Sequence, residues 1–216
     1  MKVTAIVQAR MGSTRLPNKV MMPIEDGTPL IEVLLSRLSK ATEVDQIVLA
    51  TSMNDENKVL VDHIASKGYL VYQGNEDDVL DRFYSAAVKY NSDIVVRITG
   101  DCPLVDPEIV DLVINEFKST NVDYVSNVLP PTYPDGLDVE VFSIQSFVIA
   151  WEKRSSKFER EHVTPYLQES EDITRKNIKN KIDYSKVRWT LDESEDYEVI
   201  KEIFDHFSQE LLLFLH

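Results

Sequence analysis

Cysteine is nearly absent from this sequence, in which Cys102 is the only one among 216 residues. A lone cysteine excludes an internal disulfide and a zinc site built from several cysteines. A reducing compartment suits such a chain, so we expect a cytoplasmic protein with a buried, inert Cys102 thiol. Long apolar runs are also missing, and none approaches the ~20 residues that a membrane helix requires. Because no segment resembles a signal peptide either, we expect no membrane partner.

Basic residues are outnumbered, with 23 lysines and arginines against 37 aspartates and glutamates and a formal net charge of -14. Nucleic-acid binding requires a broad basic surface, so we expect no nucleic-acid partner. The basic residues are unevenly spread, because residues 1–24 contain Lys2, Arg10, Arg15 and Lys19 and no acidic residue. A local group of cations in an anionic chain suits a small anionic ligand, although a solvated surface loop has the same composition.

Short apolar segments alternate with amphipathic ones along most of the chain. We predict strands at residues 3–9, 46–52, 69–74, 93–100, 122–128, 137–143 and 187–192. We predict helices at residues 28–41, 54–68, 77–90, 107–119, 144–155, 159–169 and 195–207. This alternation indicates the α/β class, with a mostly parallel sheet flanked by helices. We interpret residues 1–216 as a single domain with an inserted segment near residues 130–180, where prolines interrupt the pattern.

The segment ARMGSTRLPNK follows the first predicted strand. Ligands of open parallel sheets bind beyond the carboxyl ends of the strands, which makes this loop a candidate site. Gly12 allows close approach of the backbone, whose amides can cradle phosphate oxygens. The planar guanidinium groups of Arg10 and Arg15 can form bidentate hydrogen bonds with phosphate, and Lys19 supplies a localised positive charge. The segment matches neither the P-loop nor the dinucleotide-binding pattern.

Two aspartates lie at the ends of other predicted strands, Asp101 after residues 93–100 and Asp192 at the end of 187–192. Carboxylates beside a phosphate-binding loop suit Mg²⁺, which bridges phosphate oxygens. Each aspartate is also a candidate helix N-cap, a common role at a strand-to-helix junction. The combination with the basic loop favours the metal site.

The pattern A-R-x-x-S-x-R-L-P-x-K after an N-terminal strand resembles the signature of cytidylyltransferases that activate acidic sugars, such as CMP-Kdo and CMP-acylneuraminate synthetases. The matching residues are Ala9, Arg10, Ser13, Arg15, Leu16, Pro17 and Lys19. Residues 100–104 resemble the metal-binding G-D-x-P-L segment of that family. Residues 191–198 resemble its V-D-T-P-E-D-L-E segment, with Asp192 on the metal-binding aspartate and Glu193 and Ser194 in place of Thr-Pro. The segments YPDGLDVEVFS, REHVTPY and VRWTLDESEDYE most resemble the branch of spore coat polysaccharide biosynthesis protein F.

The resemblance implies a Rossmann-like nucleotide-diphospho-sugar transferase fold. It implies transfer of CMP from CTP to an acidic sugar or related small acceptor, with release of pyrophosphate, for surface polysaccharide biosynthesis. The implied nucleotide-binding residues are Ala9, Arg10, Gly12, Ser13, Arg15 and Lys19. The implied catalytic residues are Arg10, Arg15, Lys19 and Asp101, and the implied ligands of the Mg²⁺ cofactor are Asp101 and Asp192. A glycosyltransferase of related fold is the alternative, although the usual D-x-D pair is missing after the strands, and a non-catalytic binding module is disfavoured.

Further candidates lie outside these motifs. Arg82 follows Asp78 by one helical turn and either reaches the nucleotide or forms an ion pair within the helix. Asp135, Asp138 and Glu140 are candidates for binding acceptor hydroxyl groups. Alternatively, Asp135 belongs to a tight turn and the other two form the solvent-facing side of a strand.

His162 and the segment 130–180 raise the question of assembly. A general base is possible at His162, but a packing or dimer-contact role is favoured. Related synthetases pair through the corresponding segment, so we predict a homodimer. The aromatic residues expected in the interface are Phe142, Phe147, Trp151 and Tyr166. The alternative is that they complete the core of a monomer.

Overall fold

A seven-stranded sheet, in the order β3-β2-β1-β4-β6-β5-β7, runs through the computed structural model, which describes residues 1–24, 26–153 and 156–213. The strands are β1 Val3–Gln8, β2 Gln46–Ser52, β3 Leu70–Gly74, β4 Ile94–Thr99, β5 Tyr124–Ser126, β6 Glu140–Ser143 and β7 Arg175–Asn177. The α-helices are α1 Leu30–Leu38, α2 Lys58–Ser66, α3 Val79–Lys89, α4 Pro107–Ser119, α5 Ile144–Lys153, α6 Lys157–His162, α7 Pro165–Glu169 and α8 Ser194–Leu213. Short 3-10 turns occupy Lys19–Met21 and Asp55–Asn57.

The sheet is mostly parallel, which confirms the predicted α/β class. Strand β1 pairs in parallel with β2 and β4, β2 with β3, and β5 with β7. Only β6 runs antiparallel to its neighbours, β4 and β5, among the strands of the described residues. Carboxyl ends of the long central strands therefore meet at one edge of the sheet, where loops can converge.

Both faces of the central sheet are covered, because its strands are apolar on both sides. Val3 and Val7 of β1 belong to one buried cluster with α1, α2 and α4. Ile6 of β1 and Val95 of β4 belong to the opposite cluster with α3, α5 and α7. This arrangement is typical of parallel strands between two layers of helices. Among the described residues, no helix combines the length and apolar character needed to cross a membrane.

Most predicted elements are confirmed, with ends that differ by a few residues, and three differ in kind. The helix predicted at 159–169 is divided into α6 and α7, because Val163 between them takes φ +70° and Pro165 begins the second helix. The strand predicted at 187–192 is wrong, since Arg188 alone forms an isolated bridge, to Asp135. Strand β7 was not predicted because its three residues, RKN, contain no apolar signal.

The four aromatic residues predicted for a dimer interface, Phe142, Phe147, Trp151 and Tyr166, pack within the chain itself. Phe142 and Phe147 have no exposed surface and their ring centroids lie 4.8 Å apart. Trp151 is partly buried, stacks on Tyr84 at 4.6 Å, and donates a hydrogen bond from Nε1 to Asp81 Oδ1 at 2.8 Å. The prediction that Phe142 and Phe147 form a dimer interface is therefore wrong, because both complete the core of the protomer.

Candidate active site

A cleft of about 370 Å³ opens at the carboxyl ends of β1 and β4. It is walled on one side by the loop after β1 and on the other by the segment before α3, with α6 at its rim. The predicted site residues that line it are Ala9, Arg10, Ser13, Arg15, Lys19, Arg82, Asp101 and Asp192. Other charged or titratable residues that line it are Glu76, Asp77, Lys157, Glu161 and His162. The structure thus brings the predicted nucleotide and metal residues together, with Gly12 as the exception.

Gly12 faces away from the cleft, toward the turn that follows β2. A Cβ atom at Gly12 would lie 2.4 Å from Glu56 Oε1, so the missing side chain makes room for that carboxylate. The neighbouring Met11 N–H donates to Asn57 Oδ1 at 2.8 Å, and Asn57 is fully buried. Asn57 therefore fastens the basic loop to the turn after β2, a role that the sequence did not predict.

Gly100 lines the cleft and shapes it through the backbone. A Cβ atom there would lie 2.6 Å from the Gln8 carbonyl oxygen and 2.7 Å from Ala9 Cβ. The Gly100 amide instead donates to that carbonyl at 2.7 Å. Glycine thus allows the backbone segments at the ends of β1 and β4 to approach each other closely. Asp101, the next residue, therefore faces the basic loop.

Each predicted phosphate-binding cation lies against a carboxylate. Arg10 Nη1 is 2.7 Å from Glu76 Oε1, and Arg15 Nη2 is 2.8 Å from Asp192 Oδ1. Lys19 Nζ is 3.1 Å from Asp101 Oδ2 and 2.9 Å from Asp192 Oδ1. The arginine side chains are about half exposed, at 45% and 57%, whereas that of Lys19 is 12% exposed. The Lys19 side chain is thus mostly buried in the site, whereas the side chains of Arg10 and Arg15 lie at its surface.

Asp101 lies just beyond β4, as predicted, and it does not cap a helix. The N-cap of α4 is Asp106, whose Oδ1 accepts the Glu108 N–H at 2.8 Å. The capping alternative is therefore wrong for Asp101. Its backbone carbonyl accepts the Leu191 N–H at 2.8 Å, which joins the segment after β4 to the one before α8.

Asp192 reaches the cleft from a turn before α8, not from the end of a strand. Asp196 fixes this turn, because its Oδ2 accepts the N–H groups of Asp192 at 2.8 Å and Glu193 at 2.9 Å. Burial favours a higher pKa for Asp192, but the hydrogen bond and charge of Lys19, with Arg15 and Arg188, lower the pKa overall. Asp192 is therefore ionised at neutral pH.

The two aspartates fit the metal that the sequence predicts. Their carboxylate oxygens converge on one cation, the Lys19 ammonium, and carboxylate oxygens are hard ligands that suit Mg²⁺. In the part of the chain that the structure describes, no group of three or more Asp, Glu, His or Cys side chains forms a complete metal cage. Mg²⁺ commonly binds to one or two carboxylates and completes its shell with water and substrate phosphates.

Arg82 is nearly inaccessible, at 3% exposure, and lies at the wall of the cleft. Its Nη1 donates to the backbone carbonyls of Asn75 at 2.6 Å and Glu76 at 3.3 Å, while Nε has no hydrogen-bond partner. Burial and the charge of Arg10 lower its pKa to about 10, so it remains a cation at neutral pH.

The alternative role for Arg82, an ion pair within α3, is wrong. Asp78 instead caps α3, with Oδ1 accepting the Asp81 N–H at 3.0 Å, and its Oδ2 is 2.6 Å from Arg160 Nη1. The guanidinium of Arg82 is therefore directed to the carbonyls of the cleft wall.

The three predicted acceptor residues differ in environment. Glu140 is buried at 3% exposure, forms an ion pair with Arg97, and accepts hydrogen bonds from Tyr124 Oη at 2.6 Å and Gln168 Nε2 at 2.7 Å. The solvent-facing alternative is therefore wrong for Glu140. Asp138 is half-buried, and burial together with the nearby carboxylates of Asp135 and Glu140 raises its pKa to about 6.

A second cavity of about 260 Å³ adjoins the cleft and shares His162 with it. Its lining includes Arg97, Phe158, Thr164 and Gln168. His162 is exposed, and its ring centroid lies 4.4 Å from that of Phe158. His162 lines both cavities, and its favoured packing or dimer-contact role and the general-base alternative both stay predictions. Asp135 and Asp138 line neither cavity, and their contact with an acceptor also stays a prediction.

Comparison with known proteins agrees with this arrangement. Residues 4–212 match the family described as cytidylyltransferase. The chain is 32% identical over 207 residues to spore coat polysaccharide biosynthesis protein SpsF of Bacillus subtilis, covering 92% of this chain and 85% of that protein. It is 35% identical over 112 residues to a 3-deoxy-manno-octulosonate cytidylyltransferase of Geotalea daltonii, covering 51% of this chain and 43% of that enzyme.

A solved structure extends the likeness to the whole fold. The cytidylyltransferase of Leptospira borgpetersenii serovar Hardjo-bovis superposes with a TM-score of 0.92 at 34% identity, covering 96% of this chain and 88% of that one. The sequence match spans the basic loop, Asp101 and Asp192 alike. The protein therefore belongs to the cytidylyltransferase family, whose members are nucleotidyltransferases that use CTP.

Proposed function

We propose that the protein transfers CMP from CTP to an acidic sugar or related small acceptor and releases pyrophosphate, with Mg²⁺ as cofactor. The observation that carries this proposal is the convergence of the basic loop, Asp101 and Asp192 in one cleft beyond the parallel strands. Family membership accounts for CTP. The acceptor, the metal and the role in surface polysaccharide synthesis are the parts that we add.

The chemistry requires little more than positioning and charge. Attack on the α-phosphorus places negative charge on the departing pyrophosphate, and fixed cations stabilise that charge. Arg10 and Arg15 are exposed enough to fold over a triphosphate, while Arg82 supplies a desolvated positive charge at the cleft wall. These residues bind and align the nucleotide, which is the main source of rate in phosphoryl transfer.

Asp101 and Asp192 would hold the metal. When bound, Mg²⁺ supplies charge neutralisation at phosphate and lowers the pKa of a coordinated hydroxyl group. The aspartates keep the site anionic and fix its place relative to the basic loop. Under this proposal no protein side chain has to act as the base, although His162 lies within the same cleft.

The second cavity is the natural place for the acceptor. It adjoins the nucleotide cleft, and its volume of about 260 Å³ is slightly below the usual range for drug-sized ligands, which suits a single sugar. Arg97, Thr164 and Gln168 offer polar groups on its wall. The names of two relatives, one acting on 3-deoxy-manno-octulosonate and one in spore coat polysaccharide synthesis, support a sugar acid used in surface polysaccharide.

The test is pyrophosphate release from each of the four ribonucleoside triphosphates, with Mg²⁺ and a panel of sugars. The panel contains 3-deoxy-manno-octulosonate, N-acetylneuraminate and the neutral sugar mannose. We expect release with CTP and an acidic sugar, and loss of release in EDTA. Release only with mannose would contradict the acidic acceptor, and release only with another triphosphate would contradict the use of CTP.

The metal is tested with Asp101→Asn, which keeps the shape of the side chain and removes its charge. We expect turnover to fall at least a hundredfold, about 2.7 kcal/mol of transition-state stabilisation. Asp106→Asn is the matched control in the same connection, because Asn caps a helix about as well as Asp. If Asp101→Asn unfolded the protein instead of inactivating it, the role of Asp101 would be structural.

A further inference from the structure

The Lys19 ammonium lies where the two metal-binding aspartates converge. Its Nζ is 3.1 Å from Asp101 Oδ2 and 2.9 Å from Asp192 Oδ1, and it donates a third hydrogen bond to the Leu191 carbonyl at 2.7 Å. These three acceptors use all three donors of an ammonium group. Lys19 thus serves as the cation of a site whose donor set suits a metal.

The surroundings hold Lys19 in place. Its side chain is 12% exposed, and the next residue, Val20, is buried in the core. The 3-10 turn Lys19–Met21 begins at Lys19 itself, which fixes the backbone from which the side chain extends. Removing the ammonium without a substitute would leave two partly buried carboxylates facing each other, which is costly.

We propose that Lys19 is the counter-ion of Asp101 and Asp192 in the nucleotide-free protein, and that it excludes divalent metal until a triphosphate draws it away. This inference rests on the proposed function, because it takes Asp101 and Asp192 as the metal ligands. Binding of the triphosphate moves the Lys19 ammonium away from the aspartates, which opens the site for the metal. Binding of the metal in turn keeps the ammonium at the triphosphate, so each ligand increases the affinity for the other.

The charges around Lys19 explain why a metal ion replaces its ammonium group only when the nucleotide is bound. A divalent ion placed between the aspartates would lie beside the Lys19 ammonium, and Arg15 and Arg188 already contact Asp192 at 2.8 and 3.0 Å. Like charges at such short range repel strongly in a partly desolvated site. The triphosphate supplies new anionic partners for Lys19 and Arg15, which frees the carboxylate oxygens. Binding is therefore coupled, and thermodynamic linkage makes the coupling reciprocal.

The experiment measures metal binding without nucleotide and without turnover. Mn²⁺ is titrated into nucleotide-free protein, and the free ion is followed by electron paramagnetic resonance. We expect Lys19→Met to bind Mn²⁺ at least tenfold more tightly than the wild type, and Lys19→Arg to bind it as weakly as the wild type. The double variant Lys19→Met with Asp101→Asn should not show this increase in Mn²⁺ affinity, because it lacks one of the two carboxylate ligands. Equal Mn²⁺ affinity in the wild type and Lys19→Met would overturn the proposal.

Stability gives a second readout. Mn²⁺ should raise the melting temperature of Lys19→Met and leave that of the nucleotide-free wild type unchanged. If Lys19→Met does not fold without metal, Lys19→Gln keeps a hydrogen-bond donor and removes the charge, and the same Mn²⁺ comparison applies to it. A wild type that Mn²⁺ stabilises as much as either variant would again overturn the proposal.

The transfer of Lys19 to the nucleotide is tested by calorimetry of CTP binding in EDTA. We expect Lys19→Gln to bind CTP at least tenfold more weakly than the wild type, and equal affinity would contradict the transfer. Failure of the proposed function is distinguishable, because a protein that fails to convert CTP would still show the Mn²⁺ difference between wild type and Lys19→Met.

Discussion

At the scale of single residues, the site consists of cations that are already paired. Arg10 lies against Glu76 and Arg15 against Asp192, both in partly exposed ion pairs. Exposed pairs contribute little to stability, with a median of about 0–1 kcal/mol, so the fold does not require them. Their positions at the mouth of the cleft are explained better by an anionic ligand that displaces the carboxylates.

Arg15→Ala tests the basic loop. We predict a loss of at least tenfold in kcat/KM for CTP, about 1.4 kcal/mol, because under the proposed function Arg15 is one of the cations that stabilise the departing pyrophosphate. Steady-state kinetics and calorimetry of CTP binding measure the change. Lys181→Ala, at an exposed lysine outside the cleft, is the matched control and should leave both values unchanged. If Arg15→Ala kept the kcat/KM of the wild type, the loop would be a solvated surface loop and not a phosphate-binding site.

The residues of this loop could be predicted from the sequence, but those that hold it in place could not. Arg10, Arg15 and Lys19 form a continuous motif after a strand, and position beyond a parallel strand predicts a ligand site. Asn57 and Gly100 act on the backbone of the loop from other strand ends. Their roles depend on distances between segments far apart in the chain, and no local pattern encodes such distances.

Asp138 provides a prediction about pH. Its pKa is raised from 3.8 to about 6, so the folded state binds more protons than the unfolded state between these values. Stability therefore falls as pH rises through this window, and the loss persists at neutral pH. We predict that Asp138→Asn is more stable than the wild type at pH 7, by on the order of 1–3 kcal/mol. At pH ~3, below both pKa values, the two proteins should be equally stable.

Urea unfolding at the two pH values measures this difference. An equal gain in stability at both pH values would show that ionisation of Asp138 is not the cause. Turnover gives an independent readout of the predicted acceptor contact: if Asp138 binds the acceptor from outside the second cavity, Asp138→Asn should lose activity while the fold gains stability. Such a trade-off is common at functional sites.

At the scale of elements, the alternation of apolar residues in segment 187–192 correctly predicts which side chains are buried. It does not correctly predict a strand. In the segment 187–192, Trp189 and Leu191 pack in the cluster under α8, as alternation predicts. Their amides donate to two different segments, Trp189 to the Asp135 carbonyl and Leu191 to the Asp101 carbonyl. Among the described residues, the segment forms only the single bridge between Arg188 and Asp135, which does not extend into a ladder. The sequence shows the periodicity but not whether a partner strand exists.

A buried network joins four elements, and Glu140 is at its centre. Its carboxylate connects Arg97 of β4, Tyr124 of β5 and Gln168 of α7 to β6. Glu140→Ala would leave the mostly buried Arg97 without its counter-ion. Breaking a buried ion pair in this way typically costs about 3–5 kcal/mol, and we predict a loss of that size in the free energy of unfolding.

Asp62→Ala is the control for Glu140→Ala, because Asp62 pairs with Lys58 on an exposed helix surface. Exposed pairs typically contribute about 0.2–1 kcal/mol, so urea unfolding should separate the two variants clearly. Similar losses in both would mean that Arg97 finds another partner or water once Glu140 is removed.

At the scale of the whole molecule, three distant parts of the chain form one site. The basic loop follows β1, Asp101 follows β4 and Asp192 precedes α8, and the topology of the sheet brings them to the same edge. The segments after β1 and β4 meet because parallel neighbours present their carboxyl ends at the same edge of the sheet, and the hydrogen bond from the Leu191 N–H to the Asp101 carbonyl joins the segment before α8 to them. Strand β6 lies antiparallel between β4 and β5, and neither its place nor its register could be predicted from a local pattern in the sequence.

Assembly is the remaining prediction at this scale. With Phe142 and Phe147 in the protomer core, a dimer interface in the segment 130–180 must use the apolar side chains that remain exposed there. Ile149 on α5 is 38% exposed and Phe158 on α6 is 59% exposed. We predict a symmetric homodimer that buries these side chains, because two-fold pairs are the commonest assembly of soluble oligomers.

Light scattering after gel filtration at micromolar concentration tests the dimer. We expect twice the chain mass of 24.8 kDa for the wild type, and a mass near that of one chain for Ile149→Asp, because a buried charge would destabilise the interface. Leu112→Asp places the same charge at an exposed leucine on α4, outside the segment, and should remain dimeric. A wild-type mass near that of a single chain would contradict the dimer. Dissociation by Leu112→Asp but not by Ile149→Asp would place the interface on the opposite helical layer, where α4 packs.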